Sequence, residues 1–516
     1  MASLQGSISS SLDEAKKDVA ADDFTSPRPN APAALSPLED KELEKFRRKQ
    51  RLSAAFTVAC AGVALISDGL QNNIMTLTNV LLGQIHGKAY TSAVSTRLSN
   101  SLTVGTIFGQ LGIGIICDLY GRKHGIVIST FCIVAGIIIV TASHGAHGSL
   151  QGFFWCFTIG RGLTGIGVGG EYPSSSASAA EAANEKMLKS RGPVFIMVTN
   201  LVLSFGSVFA CILYLIVFQA AGGLHANLNT VWRVVFGISI VPPLAVFIFR
   251  LRMLNSKLYR KGAIQSGVPI LLTIKYYWKS LIGTAGAWFL YDFVTFPNGV
   301  FSGTIISSIV KVKGEELIRK TAEWQLLLGV IALPGVFVGA FLCNRIGRRN
   351  TMIFGFSGYL IIGLIVGCAY EKLIKVVPAF VILYGLMQSF GNAGPGDMLG
   401  LTSAESYATA VRGTCYGFSA AIGKVGAVVG TQTFTPIKLH LGQRYTFIVA
   451  ACCGVLGMLV TFFFIRNDLG GDLAEEDAKF EAYLASQGWT GAVGVSGKEA
   501  LVDVEGESTV DVKEEL

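Results

Sequence analysis

Charged side chains within an apolar, glycine-rich segment are the first sign of chemistry in this sequence. Residues 160–173 read GRGLTGIGVGGEYP and place Arg161 and Glu171 ten residues apart. On scales of insertion into a bilayer, a charge at the centre of a helix costs roughly 2.5–3.5 kcal/mol, so such residues face a partner or a water-filled path. We expect this segment to form one wall of a transport route.

The composition indicates that this route crosses a lipid bilayer. Apolar residues make up 51% of the 516 residues, charged residues make up 15%, and the mean hydropathy is +0.52. An average soluble protein carries about 25% charged residues. The net charge of +8 combines basic loops with an acidic C-terminal stretch. This distribution indicates membrane topology rather than a surface for nucleic acid.

The cysteines and glycines indicate packing rather than catalysis. The ten cysteines lie mostly in apolar stretches, with no spacing typical of a disulfide framework or a zinc site. The glycines between 160 and 170 have the small-x-x-small spacing that lets helices approach closely. No G-K-[ST] sequence follows them, as a nucleotide-binding loop requires. We expect no metal, no cofactor and no enzymatic activity.

Twelve apolar stretches predict an all-α membrane protein with twelve transmembrane helices. Each is long enough to cross about 30 Å of hydrocarbon at 1.5 Å per residue. The predicted spans are 54–83, 95–117, 125–143, 151–180, 193–219, 232–250, 280–308, 324–343, 351–370, 376–400, 413–434 and 444–465.

The loops predict the orientation and the domain organisation. Basic segments precede span one and follow spans two, four and six, so the positive-inside rule places both termini in the cytoplasm. The sequence KVKGEELIRK, on the predicted outer side, departs from this rule. Residues 1–50 and the acidic stretch 467–516 are predicted to be disordered cytoplasmic tails. We expect two six-helix halves, 51–250 and 280–466, joined by a cytoplasmic linker at 251–279, and a location in the plasma membrane.

An internal repeat supports the two halves. GIICDLYGRKHG after span two returns as AFLCNRIGRRNT after span eight. A second repeated pattern is a glutamate followed by Arg-Gly: Glu181 and Arg191–Gly192 after span four correspond to Glu405 and Arg412–Gly413 after span ten. Two parallel six-helix repeats are typical of transporters whose substrate binds near the midplane between the halves.

The first copy of the repeat resembles the loop motif of the major facilitator superfamily, G-x-x-x-D-x-x-G-R-K/R. The matching residues are Gly114, Asp118, Gly121, Arg122 and Lys123. The resemblance implies that these charges act as gating devices that hold one access state closed.

The second copy of the motif departs from this pattern. Asn344 stands where an acid is usual, whereas Arg348 keeps the first basic position of the motif and Arg345 follows Asn344 directly. We expect Arg345 and Arg348 to belong to the same gating set, with a weaker charge contact in this half.

Within that superfamily, residues 50–466 resemble the proton-coupled phosphate transporters. The features that carry this resemblance are GGEYP at 169–173, Trp288 with Asp292, Gly394–Pro395 and Gly423–Lys424. The sequences SDGLQNNIMT at 67–76 and VTNLVLSFG at 198–206 resemble the fungal glycerophosphodiester permeases, which transport glycerophosphoinositol or glycerophosphocholine.

Two departures from the inorganic phosphate symporters favour an organic phosphodiester. Glu171 replaces the usual aspartate, and Gly396–Asp397 stands where those symporters resemble Gly-Pro-Asn. Loss of an amide side chain at 396 is expected to leave room for a bulky head group. Asp397 then has three open roles: a pair with Lys424, a proton site, or contact with a cationic choline.

The resemblance implies that Lys424, the sole charge in its span, attracts the phosphate group. The alternative is a permanent ion pair with a carboxylate such as Glu171 or Asp68. Both roles combine if carboxylate and phosphate compete for one ammonium group. A buried ionisable group in a membrane is functional by default.

Asp68 and Glu171 are the predicted proton sites, with Arg161 in the same group. Burial favours the neutral form of a carboxylate and a nearby cation favours its charged form, so the balance can act as a switch. The alternatives are a hydrogen-bonded anchor of Asp68 with Gln71 and Asn72, and a static pair of Glu171 with Arg161. Ten residues separate the latter two by roughly 15 Å along a helix, which disfavours direct pairing.

In span seven, Trp288 and Asp292 share a helix face with Phe296. Asp292 is predicted to bind protonated phosphate or carry the proton, and its alternative is to cap a helix broken near Pro297. Trp288 either packs or contacts a choline head group through its ring. Tyr172 and Asn200 are further candidates for binding substrate, with a helix-to-helix hydrogen bond as the alternative for each.

Together these features predict a symporter of protons and a glycerophosphodiester that works by rocking of two halves about a central site. The alternatives are an inorganic phosphate symporter, a sugar or polyol porter, and a nutrient sensor that signals through its tails. The expected partners are the small substrate, protons and the lipid bilayer. The sequence leaves the oligomeric state open.

Overall fold

The structure is a computed structural model that describes residues 65–250, 269–310, 312 and 314–489. Regular secondary structure within these ranges is entirely helical. The predicted tail 1–50, the start of span one and most of the 251–279 linker lie outside the described residues.

Nine helices form the first part of the described chain. They are α1 (Ile66–His86), α2 (Ser92–Tyr120), α3 (Arg122–Ala142), α4 (Leu150–Glu171), α5 (Ala177–Met187), α6 (Arg191–Val198), α7 (Asn200–Ala220), α8 (Leu228–Ile238) and α9 (Val241–Arg250).

Eight helices form the second part. They are α10 (Ile270–Ile309), α11 (Glu315–Arg345), α12 (Arg348–Leu373), α13 (Val377–Gly391), α14 (Asp397–Glu405), α15 (Arg412–His440), α16 (Arg444–Phe464) and α17 (Leu473–Ser486).

The first sixteen helices make twelve membrane-spanning segments, because α4 with α5, α6 with α7, α8 with α9, and α13 with α14 each form one segment, and α17 follows the last of them. Seven of the described segments are long and apolar enough to be recognised as spans by composition alone. The other five are α1, α4 with α5, α10, α13 with α14, and α15. Those five carry the buried charges of the predicted substrate and proton sites: Asp68, Arg161, Glu171, Asp292, Asp397 and Lys424.

Two short π-helical turns interrupt corresponding segments of the two halves. Tyr172–Ser176 joins α4 to α5, and Asn392–Gly396 joins α13 to α14. Each turn contains a proline, which removes a backbone donor, and single π turns are frequent at functional sites. By contrast, α10 continues through Pro297. The alternative in which Asp292 caps a broken helix is therefore wrong.

The glycines of α4 bring this helix against α2, as predicted. A β-carbon added at Gly165 would lie 2.0 Å from the carbonyl oxygen of Leu102, and one at Gly169 would lie 2.3 Å from that of Thr106. On α2, a β-carbon at Gly105 would lie 2.0 Å from the carbonyl oxygen of Gly162. Only glycine fits such a close approach of two backbones.

The described part of the predicted tail 467–516 differs from the predicted disorder, because Leu473–Ser486 forms α17, whereas 490–516 lie outside the described residues. Phe480 and Leu484 are buried against the start of α10. Asp477 accepts hydrogen bonds from the Thr409 backbone nitrogen at 2.6 Å and from its hydroxyl at 2.8 Å. Burial raises the pKa of Asp477, while Arg412 and the bonds from Thr409 oppose this shift. The acidic composition concealed an apolar stripe at helical spacing.

Because α2 and α4 approach closely at Gly105, we expect a larger side chain at this position to destabilise the protein. Gly105→Val should lower the free energy of unfolding by about 1–3 kcal/mol or more, because the helices must separate. Thermal unfolding of the purified protein in detergent measures this change. Gly112→Val on the same helix is the control, since a β-carbon at Gly112 meets nothing within 4 Å. Equal melting temperatures for the two variants would contradict the packing argument.

Candidate functional site

A central cavity of about 190 Å³ lies between the two halves. Residues from both halves line this cavity. Seven of the predicted site residues are among them: Asp68, Tyr172, Asn200, Trp288, Asp292, Asp397 and Lys424. Residues from α1, α7, α10, α14, α15 and the first π turn thus meet at one place.

Lys424 forms an ion pair with Asp292 at the cavity wall. Its Nζ lies 3.2 Å from Asp292 Oδ2, and both side chains are buried. The same nitrogen lies 4.0 Å from the centre of the Phe296 ring and 5.4 Å from that of Tyr172. The predicted partner carboxylates, Glu171 and Asp68, do not form this pair. Asp292 on α10 does, and the ammonium group faces aromatic rings on its other sides.

Asp68 is held by two hydrogen bonds. Asn72 Nδ2 donates to Asp68 Oδ1 at 2.5 Å, and the Tyr172 hydroxyl donates to Asp68 Oδ2. Gln71, the other predicted partner, instead donates to the Ser239 hydroxyl at 2.8 Å. Asp68 thus joins α1 to the first π turn while it lines the cavity.

Asp397 contacts the other half of the protein rather than Lys424. Asn200 Nδ2 donates to Asp397 Oδ1 at 2.5 Å, which is the helix-to-helix hydrogen bond predicted as the alternative for Asn200. Asp397 Oδ2 is buried without a hydrogen-bond partner among the described residues. A β-carbon at Gly339 would lie 1.9 Å from this oxygen, so glycine at 339 makes room for the carboxyl group.

Trp288 belongs to an aromatic wall of the cavity. Its ring lies 6.3 Å from that of Tyr172 and 5.6 Å from that of Tyr416 between centres. A β-carbon at Gly423 would lie 2.4 Å from the indole. Gly423 therefore lets the tryptophan lie against α15, directly beside Lys424.

The space beside Gly396 is smaller than the sequence predicted. A β-carbon there would lie 2.9 Å from the Tyr291 hydroxyl and 3.0 Å from the carbonyl oxygen of Gly391. Glycine at 396 therefore accommodates Tyr291 rather than an empty volume for a head group. Tyr291 itself lines the central cavity.

Several polar residues that line the cavity are not among the site residues predicted from the sequence. They are mostly amides within apolar spans: Asn72, Asn73, Gln325, Gln388 and Asn392. Asn392, for example, donates to the carbonyl oxygen of Ala332 on α11 at 3.0 Å. An amide in an otherwise apolar span was the available signal, but amides also serve as helix-to-helix contacts.

Arg161 and Glu171 are buried but are not among the residues that line the central cavity. Arg161 Nη1 donates to the carbonyl oxygen of Gln71 at 2.8 Å, which ties α4 to α1. The helix Leu150–Glu171 is continuous, so the full length of ten residues separates the two charges. This geometry argues against the static pair that was weighed as an alternative.

The described lining of the cavity contains three carboxyl groups and one ammonium group, with several amides and hydroxyl groups. An ammonium group and amide donors can bind a phosphate group, and amides can bind the hydroxyl groups of a polyol. Carboxyl groups in such surroundings can exchange protons. Among the described residues, His, Cys, Asp and Glu form no cluster suited to a metal ion.

Residues 54–480 match the family described as sugar (and other) transporter. The chain belongs to this family. It is 52% identical to glycerophosphoinositol permease 1 of Candida albicans over 90% of this chain and 89% of that protein. It is 49% identical to glycerophosphoinositol transporter 1 of Saccharomyces cerevisiae, again over 90% of this chain and 89% of that protein.

The fold agrees with a solved structure from the major facilitator superfamily. The proton:xylose symporter XylE, bound to 6-bromo-6-deoxy-D-glucose, matches 83% of this chain and 100% of its own with a TM-score of 0.67 and 18% identity. This likeness concerns the fold alone. The predicted twelve-helix architecture and the resemblance to the fungal permeases are confirmed.

In this transporter, charges outside the cavity join the halves at one end of the bundle, which we call the basic end and define by Arg191, Arg348 and Arg412. Arg191 Nη2 lies 2.8 Å from Glu405 Oε1, and Arg348 Nε lies 3.1 Å from Glu405 Oε2. Arg412 Nη1 lies 3.0 Å from Glu181 Oε1. The two copies of this repeated pattern thus pair crosswise: Glu405 pairs with Arg191 of the other half, and Glu181 pairs with Arg412 of the other half.

Asp118 also acts across the halves at the basic end. It accepts hydrogen bonds from the backbone nitrogens of Gly413 at 3.0 Å and Thr414 at 2.6 Å, at the start of α15. A carboxylate at a helix N-terminus satisfies free donors and interacts favourably with the helix dipole. Arg345 lies over the Phe341 ring of its own helix at 4.5 Å. The side chains of Arg122 and Lys123 lie outside the described part of the structure.

Glu405 forms ion pairs with both Arg191 and Arg348, so we expect a large loss of stability when its charge is removed. Glu405→Gln should lower the free energy of unfolding by roughly 3–5 kcal/mol, because two buried guanidinium groups lose their counter-charge. Thermal unfolding in detergent measures the loss, and Glu371→Gln at an exposed position of α12 is the control. An unchanged melting temperature of Glu405→Gln would show that these ion pairs contribute nothing to the closed basic end.

Proposed function

We propose that this protein imports a glycerophosphodiester together with protons, with glycerophosphoinositol as the preferred substrate. The observation that carries the proposal is the Lys424–Asp292 pair within a cavity rich in amides. The names of the two fungal relatives supply the substrate class. In this proposal the protein lies in the plasma membrane with both termini in the cytoplasm.

Lys424 provides the positive charge for the phosphate group. Its ammonium group already has a partner in Asp292, and the rings of Tyr172 and Phe296 lie beside it. A phosphate in the cavity therefore competes with the Asp292 carboxylate for the same ammonium group. Protonation of Asp292 releases Lys424 to the phosphate, which couples proton binding to substrate binding.

The charge of the cavity supports proton coupling. With every group ionised, Asp68, Asp292 and Asp397 outnumber Lys424 by two negative charges. A monoanionic phosphodiester adds a third, and like charges in a low-dielectric site oppose binding. Protons on the carboxyl groups remove this repulsion. Asp68 and Asp292 are the proposed sites, while the proposed roles of Glu171 and Arg161 are indirect because neither lines the cavity.

The membrane potential sets a minimum for the number of protons. At a potential near 100 mV, each net positive charge carried inward gains about 2.3 kcal/mol. One proton with a monoanion moves no net charge. Import of a monoanion with more than one proton is therefore the arrangement that the potential assists.

The neutral lining of the cavity favours inositol as the head group. Asn72, Gln325, Gln388 and Asn392 present amide groups there, and amides both donate to and accept from hydroxyl groups. A choline head group would instead use Trp288 and a charged Asp397. These four amide groups outnumber the one indole and one carboxyl group proposed for the cation, so the polyol has more partners in this cavity.

Alternating access in this proposal opens the halves at one end and closes them at the other. The crosswise pairs of Glu405 and Glu181 and the cap by Asp118 hold the basic end together in the present structure. Release of substrate to the cytoplasm requires that these contacts break. We propose that Arg348 belongs to the same gate, and Arg122, Lys123 and Arg345 remain candidates for it.

The substrate is tested by uptake in cells that lack their own glycerophosphodiester transporters. Labelled glycerophosphoinositol should be taken up saturably, faster at acidic than at neutral pH, and without inhibition by excess glucose. Glycerophosphocholine in the same assay ranks the head groups. Uptake of inorganic phosphate without uptake of either diester would contradict the proposal and assign the chain to inorganic phosphate transport.

The role of Lys424 is tested by charge removal. Lys424→Ala should reach the membrane in normal amounts but lose saturable uptake by about tenfold or more, because a hydrogen bond to a charged group is worth about 1.5–3 kcal/mol. Lys279→Ala, at an exposed position of α10, is the control. Asp292→Asn should retain exchange of substrate while it loses accumulation driven by protons. Normal uptake by a well-expressed Lys424→Ala variant would overturn the assignment of the phosphate site.

A further inference from the structure

A second cavity, outside the central one, contains hydrogen-bond donors without acceptors. It is a groove of about 970 Å³ between α2, α4 and α15, and we call it the lateral groove. It is bounded by Arg97, Asn100, Val104, Phe108, Val428 and Leu439, among others. None of the proposed substrate or proton sites lies in it.

Three buried donor atoms of the lateral groove lack partners within the described ranges. They are Nε and Nη2 of Arg97 and Nδ2 of Asn100. The other side-chain atom of that amide, Asn100 Oδ1, accepts a hydrogen bond from the Thr431 hydroxyl at 2.5 Å. No carboxyl group is among the described residues that line the groove. A buried donor left unpaired costs free energy, so this set calls for an acceptor of negative charge.

The position of Arg97 corresponds to the head-group level of a bilayer. Arg97 lies in the second turn of α2, about 8 Å from the start of the helix at 1.5 Å per residue. Its guanidinium carbon lies 4.3 Å from the centre of the Trp155 ring, and that tryptophan is 52% exposed. Tryptophan is enriched at membrane interfaces, where its ring sits at the level of the head groups.

The remainder of the groove is apolar and open to the side of the bundle. Phe108 is 65% exposed and Leu439 is 69% exposed. Phe108 lies eleven residues beyond Arg97 on the same helix, which is roughly 16 Å deeper. A cationic and an amide side chain therefore line one end of the groove, and an apolar surface lines the rest of its length. An anionic molecule with a hydrocarbon chain requires this combination.

We propose that the lateral groove binds a phospholipid. The lipid phosphate accepts hydrogen bonds from Arg97 and Asn100, and an acyl chain lies against Val104 and Phe108. Arginine binds phosphate through two parallel hydrogen bonds, which matches the two free donors of Arg97. The lipid occupies the contact of α2 and α4 with α15, so it lies where one half of the transporter meets the other.

Native mass spectrometry of the purified full-length protein in detergent tests this site. The probes are dioleoylphosphatidylglycerol and dioleoylglycerol, which carry the same acyl chains with and without a phosphate group. We expect the phospholipid to bind the unmodified protein and dioleoylglycerol to bind at least about tenfold more weakly, as the loss of charge-assisted hydrogen bonds predicts. Equal binding of the two probes would overturn the proposal.

Two variants locate the binding to the predicted donors. Arg97→Gln removes the charge, and Asn100→Asp keeps the oxygen that accepts from Thr431 while it turns the free donor into a repelling oxygen. Each should weaken phospholipid binding by about tenfold. The control is Arg233→Gln: Arg233 also stacks on a tryptophan, at 4.4 Å, but it donates to the carbonyl oxygens of Thr141 and Ser143. Unchanged binding by the first two variants would overturn the site.

The water-soluble glycerophosphoglycerol, which is the head group without acyl chains, separates a lipid site from a site for free anions. We expect it not to displace the phospholipid at a hundredfold excess, because it lacks the apolar contact. Displacement that depends on Arg97 would assign the groove to a soluble phosphodiester instead of a lipid. Thermal unfolding without added lipid confirms that each variant used in the comparison is folded.

Discussion

The ion pair of Lys424 and Asp292 is the contact on which the central cavity depends. A charge in the apolar interior of a membrane protein is tolerated when it has a partner, and these two groups on α15 and α10 supply each other. The pair also constrains its surroundings. Gly423 brings Trp288 against α15, and the aromatic rings of Phe296 and Tyr172 enclose the ammonium group. The cavity is thus shaped around one positive charge whose partner can be exchanged.

Two short helices connect this cavity to the basic end of the bundle. Asp397 begins α14 in the cavity, and Glu405 ends the same helix in the arginine pairs, about 12 Å away at 1.5 Å per residue. In the other half, α5 follows the π turn of Tyr172 and carries Glu181 to Arg412. Each helix is therefore a rigid link between a group that lines the cavity and a contact that holds the halves together. This arrangement gives the proposed gate a direct mechanical connection to the proposed site.

The sequence predicted the spans and the four charged residues that line the cavity, but not how those residues pair. Hydropathy reports that a segment crosses the membrane, whereas the partner of a charge depends on the rotation of each helix about its axis. The sequence therefore offered Glu171, Asp68 and Asp397 as partners of Lys424, whereas the packing of α10 against α15 gives it Asp292. The same limit hid the contact of Asn200 with Asp397 and the crosswise pairs of Glu405. Helix α17 was missed for a different reason, because the average composition of an acidic tail outweighed the spacing of its few apolar residues.

The charges of the cavity also constrain the order of events in the proposed cycle. A site with three ionised carboxyl groups and one ammonium group repels a phosphodiester, so protons must bind before or with the substrate. Once the phosphate engages Lys424, loss of the proton from Asp292 restores its attraction to the ammonium group and weakens the bond to the substrate. Binding and release then depend on the same pair in two protonation states. A neutral sugar would gain nothing from this competition, since it carries no charge to exchange with Asp292, and this asymmetry favours an anionic substrate over the sugars carried by other members of the fold.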